Sequence, residues 1–196
     1  MTSSQPAFIK PKTAQRGAAA VEFALVAIPF FLLLFGAMEF GRLMFLWNTV
    51  QEVTRNAARQ AVVTDFTNAT AVASIRQSAV FRTTPGALPA AAEITNARVN
   101  IRYLNAAGVV ANPMPSSPGD NIAACLDATR VAECIRFVEV CVSTGATCAA
   151  NEMISFVPMI SLFSQSGPFS TDLTGLRIPL STVRMPAESL GFQPAT

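Results

Sequence analysis

The sequence predicts an α+β protein in which one long N-terminal helix crosses a membrane, continues as an amphipathic stem and carries a small, mostly antiparallel β head. Three observations point there. Residues 23–38, FALVAIPFFLLLFGAM, carry no charge. The apolar period shortens from three or four residues to two beyond about residue 90. All four cysteines, Cys125, Cys134, Cys141 and Cys148, fall in the last 72 of 196 residues. A chain of that length, 51% apolar and 13% charged, holds one anchored domain with a core and leaves no room for a second large one.

The first element is a basic leader, residues 1–17. Of the 14 basic residues, Lys10, Lys12 and Arg16 lie before position 18, which leaves 11 against 12 acidic ones, a net charge of −1. The remainder therefore has no basic footprint for nucleic acid, and the leading cluster is a topology signal.

The second element is the span, residues 18–47. Thirty residues give about 45 Å of helix, against a hydrocarbon core of about 30 Å. At the exit, Glu39 and Arg42 share a helical face, where they can pair or snorkel, and Trp47 supplies an interfacial ring. With the cations in front, the positive-inside rule leaves the N-terminus in the cytoplasm and everything after Trp47 across the membrane. Two competing readings are a cleavable secretory signal, for which the run is too long and carries Glu22, and an uncleaved anchor, in which Glu22 snorkels to the headgroups.

Glu22 is costly in a bilayer, on the order of 2.5–3.5 kcal/mol at mid-depth by insertion scales and less near an interface. If the chain is cut between Gly17 and Ala18, the new α-amine lies four residues from Glu22, one helical turn away. The two charges can neutralise within one chain or between neighbours. A wrong register would leave both unpaired, so the pair acts as a register device.

The string RGAAAVEFALVAIPFFLLLFGAMEFGRLMFLWNTVQEVTRNAAR, residues 16–59, resembles the TadE-like family of minor pseudopilins of the tight-adherence, Flp-type pilus. The features that carry the resemblance are Gly17 followed by three alanines, Glu22 and Phe23, Pro29 inside the span, the block Glu39-Phe40-Gly41-Arg42, and the closing Asn56 to Arg59. It implies a pilin-like fold, cleavage after Gly17 by an inner-membrane prepilin peptidase, contact with other pilins and pseudopilins through the N-terminal helix, and a part in pilus assembly, priming or tip formation. It also implies a single-pass inner-membrane location with a periplasmic head, or exposure outside the cell within a filament. The first mature residue would be Ala18, where the commonest pilins have phenylalanine or methionine. Two alternatives remain open: an uncleaved single-span envelope protein with an outward binding domain, and a type II secretion pseudopilin.

Within the span, Pro29 removes one backbone bond and can loosen the preceding turn, although membrane helices also tolerate proline without a functional reason. Ala20 with Ala24, and Ala37 with Gly41, place small residues four apart, as close helix contacts require.

The stem, residues 48–64, repeats Val50, Val53, Ala57 and Ala61 at helical spacing. Asp65 to Asn68 breaks it, and Asn68 or Thr70 caps a second helix through TAVASIRQSAVF. The head is expected over residues 65–185. TTPGALP, 83–89, is a turn or linker. Residues 97–110 alternate and then turn at Asn105 to Gly108, a hairpin start. Residues 111–121 are proline-rich and expected to be flexible. ECIRFVEVCVS, 133–143, apolar on both faces, is expected to be a central strand. Residues 153–163 are expected as a strand leading into a short helix, residues 173–185 as a last strand with Pro179 at an edge or bulge, and 186–196 as a loose tail.

The cysteines lack the close pairs of zinc sites and the chain has no histidine, so no metal or cofactor is expected. Outward topology makes disulfides the expectation. If 133–143 is one strand, Cys134 and Cys141 stand about 23 Å apart on opposite faces and do not pair. Pairing Cys125 with Cys134 and Cys141 with Cys148 closes both loops locally, and the interleaved pairing stays open.

An enzyme is not expected. Absence of histidine removes Ser-His and Cys-His chemistry, and both lysines lie in the leader. No glycine-rich phosphate loop follows a strand, so no small-molecule substrate is expected either. Asp120, Asp127, Glu133 and Glu139 read as surface charges or as partners of Arg130 and Arg136.

Overall fold

The computed structural model describes residues 16–160, 163 and 173–193. Helix α1 runs unbroken over Arg16–Ala61, through Pro29. From Gly17 to Met38 none of its side chains is buried. Burial then becomes periodic: Leu43, Leu46, Val50, Val53, Ala57, Ala58 and Ala61 are buried, while Gln51, Glu52, Arg55, Arg59 and Gln60 face solvent. The amphipathic part thus begins at Leu43, earlier than the expected stem, because Leu43 and Leu46 continue the same apolar stripe upstream.

The helix ends where local bonds compete with it. Thr64 Oγ1 donates back to the Gln60 carbonyl at 2.7 Å, and the Asp65 carboxylate accepts from the Thr67 amide and hydroxyl, an Asx turn. Helix α2, Ala69–Ala79, follows with Asn68 as its N-cap, whose side chain accepts from the Ala71 amide at 3.0 Å.

The chain divides into two compact units, Met1–Phe40 and Gly41–Thr196. The second unit holds the head. Strands β1, Ala87–Leu88, and β2, Ala91–Thr95, pair antiparallel, so the expected 83–89 linker contains a short strand. A three-stranded antiparallel sheet is built from β3, Val99–Leu104, β4, Phe137–Val142, and β7, Ser181–Pro186, in the order β3-β4-β7. Strand β4 is central and buried from Val138 to Val142, as a strand apolar on both faces should be. Strands β5, Ile154–Ser155, and β6, Arg177–Ile178, form a further antiparallel pair. Val50, Val53, Ala57, Ile94, Val99, Val138 and Val140 belong to one core, so the stem packs with the head strands.

Several expectations need correction. Residues 111–121 are not a simple flexible stretch, because Pro118–Leu126 forms helix α3, with Ser117 accepting from the Asp120 amide at 3.1 Å and Pro118 at its start. Ser-Pro followed by an acid is a helix-start signal that the density of prolines obscured. The strand expected from residue 133 begins at Phe137, since Arg130 to Cys134 is a turn. The expected last strand is divided into β6 and β7 around Pro179, which has no amide to donate. The short helix expected near 163 falls largely outside the described residues.

The expected loose tail is docked as far as Leu190. Glu188 and Leu190 donate their amides to the Val62 carbonyl just past the end of α1, and Leu190 is buried. Gly191 has φ +83°, and a Cβ there would lie 2.5 Å from the Asp65 backbone nitrogen. Only glycine accepts both that conformation and that approach. Residues 194–196 lie outside the described residues.

Candidate functional site

The residues that the sequence analysis singles out for processing and helix contact lie on α1. Gly17, Ala18 and Glu22 are exposed within its first two turns. Val21, Phe23, Leu25, Val26, Phe30, Leu33 and Leu34 are all exposed. Phe31 stacks with Phe35 at 5.7 Å between ring centroids, as side chains four apart on one helix can. Mean hydropathy over the best 18-residue window reaches 2.4, and none of that window is buried. This is the only such helix among the described residues. A helix apolar all round and uncovered by its own chain suits lipid or other apolar helices.

Small residues keep a second possibility on the same helix. Ala37 is exposed, and an added Cβ at Gly41 would meet nothing within 4 Å. Close backbone approach by another helix is open there. Glu39, by contrast, is buried, with 3% of its surface exposed.

Arg42 reaches from α1 to three segments of the head. Its Nε donates to the Ala90 carbonyl at 3.0 Å, Nη1 to the Val157 carbonyl at 2.8 Å, and Nη2 to both carboxylate oxygens of Glu93 at 2.8 and 3.1 Å. The guanidinium also sits 4.8 Å from the Phe156 ring centroid. Trp47 packs against the head core. Of the trio expected at the membrane interface, then, Arg42 and Trp47 join the stem to the head.

A second charge cluster crosses the sheet. Register puts Arg102, Glu139 and Arg184 side by side on β3, β4 and β7. Glu139 is buried and accepts from Arg102 at 2.8 Å and from Arg184 at 2.7 Å, one oxygen to each. Its expected role as a surface charge or partner of Arg130 or Arg136 is therefore wrong. Arg130 does pair with Asp120 and Glu133, at 3.0 and 2.6 Å. Only the strand register brings Glu139 between Arg102 and Arg184.

The cysteines pair sequentially, Cys125 with Cys134 and Cys141 with Cys148. The first bond ties the end of α3 to the turn before β4. The second ties β4 to a loop organised by Glu152, whose carboxylate accepts from the amides of Thr147 and Ala149 and from the Thr147 hydroxyl. The Thr147 hydroxyl, foremost, and these amides hold the Glu152 carboxyl below the usual carboxylate range. Asp120 is lowered in the same sense, first by the Ser116 amide and then by Arg130. Burial pushes the Tyr103 phenol up to about 12.

Residues 17–59 match a family model described as TadE-like protein. No curated protein and no solved structure matches the chain. The match covers the apolar part of α1 and most of the stem, and it contains Gly17, Ala18, Glu22, Pro29, Glu39, Gly41, Arg42 and Trp47. The β head lies beyond it.

Proposed function

We propose that the chain is a minor pseudopilin of a tight-adherence pilus, cut after Gly17 by a prepilin peptidase and inserted by its N-terminal helix into the inner membrane with the head in the periplasm. The observation that carries this reading is the TadE-like match over residues 17–59, which contains Gly17, Glu22 and an apolar helix with no buried side chain from Gly17 to Met38. The helix then serves two environments in turn, lipid before assembly and neighbouring pilin helices after it. Glu22 answers the amine that cleavage creates at Ala18, and mispairing leaves two charges in an apolar setting. The head makes protein contacts that start or end a filament, and its role is structural and not catalytic. Two disulfides suit an oxidising compartment.

N-terminal sequencing of protein purified from membranes tests the processing step, with Ala18 expected as the first residue. Met1 would favour the uncleaved anchor. The assembly step is tested by Glu22→Gln, which should leave cleavage intact and abolish incorporation into filaments. Normal incorporation of that variant would overturn the role given to Glu22.

A further inference from the structure

We infer that the two apolar turns held by Arg42, around Ala90 and Val157–Met159, form a collar that sits in the interfacial layer of the membrane beside the exit of α1. The inference rests on the membrane-span reading of α1 and adds a second lipid contact, made by the head.

Depth follows from counting along one helix. Ala18 to Met38 is 21 residues, about 31 Å, which matches the hydrocarbon core. Arg42 lies four residues, about 6 Å, beyond Met38, within an interfacial layer of roughly 5–7 Å. Arg42 is therefore at headgroup level. Long side chains on a helix lean toward its N-terminus, which brings the guanidinium no farther from the lipid than its own backbone.

Whatever Arg42 binds shares that depth. It binds the Ala90 carbonyl in the β1–β2 turn and the Val157 carbonyl after β5, at 3.0 and 2.8 Å. The chemistry of both turns suits lipid. Leu88-Pro89-Ala90-Ala91 and Phe156-Val157-Pro158-Met159-Ile160 contain no charge. Val157 and Met159 are 56% and 71% exposed on either side of buried Pro158, and Pro89 and Ala90 are exposed too. The side chain of Glu93, in the strand after the first turn, is 4% exposed and pairs with Arg42. Apolar side chains at this level gain by entering the acyl boundary, as monotopic segments do. Continuity with the span selects lipid as the occupant over a soluble partner.

The test uses the full-length protein in lipid vesicles, with its native disulfides intact and single cysteines carrying the NBD fluorophore. V157C and M159C are expected to show blue-shifted emission that is quenched by doxyl-labelled lipids. L33C, in the span, should be quenched more deeply. L126C, on an exposed leucine (84%) not held by Arg42, should keep the emission of an aqueous site. Aqueous emission from both V157C and M159C with L33C quenched overturns the collar and leaves the span standing. An unquenched L33C overturns both. Quenching of L126C equal to that of M159C also overturns the collar, since its depth would then not be selected by Arg42.

Discussion

At the scale of single residues, the head depends on charges removed from water in matched sets. Arg42 satisfies Glu93, two backbone carbonyls and an aromatic face at once, with little of either charged side chain exposed. A buried pair contributes little net stability when intact but costs a great deal when halved, about 3–5 kcal/mol. Arg42→Ala is therefore expected to destabilise the protein by about that amount, because Glu93 would be left buried without its partner. The double variant Arg42→Met with Glu93→Leu should recover much of the loss, since matched apolar groups remove the stranded charge. Chemical denaturation in detergent measures both. Equal stability of R42A and the native protein would mean that Glu93 is not truly desolvated. Glu139 follows the same logic between Arg102 and Arg184, where alternation along three strands leaves a carboxylate flanked by two guanidinium groups.

At the scale of elements, α1 changes character along its length. Its residues from Gly17 to Met38 are not buried by the chain, and its last third is a stripe of buried valines and alanines. Ala57, Ala58 and Ala61 are each fully buried, which lets the helix approach its neighbours closely. Added volume there has nowhere to go, and overpacking costs about 1–3 kcal/mol. Ala57→Leu is thus expected to lower stability within that range, read as a shift in denaturation midpoint, whereas Arg59→Leu on the exposed face should change it little. Helix α3 is set by local signals within a proline-rich stretch. Ser117 caps it, Pro118 opens it, and the disulfide from Cys125 fastens its end.

At the scale of the whole molecule, the stem belongs to the head. The second compact unit starts at Gly41, not at the expected boundary near residue 65, and includes Leu43, Leu46, Val50, Val53, Ala57 and Val62 as core residues. A chain starting at Gly41 is expected to fold and unfold cooperatively. One starting at Asp65 should stay unfolded, because the sheet would lose the face it packs on. Circular dichroism and thermal melts of the two chains decide this, and cooperative folding of the shorter one would show that the stem is dispensable. The sequence by itself determined the long apolar helix, the TadE-like segment and β4 as a central strand. Each is written in contiguous residues, as charge-free length, motif spacing or two-sided apolarity. It also favoured the sequential disulfides, because both loops close locally. Only the tertiary structure decided that Arg42 binds Glu93, that Glu139 lies between two arginines, and that Leu190 docks at Val62. Those partners are 37 to 128 residues apart, and no local pattern carries the register or packing that brings them together.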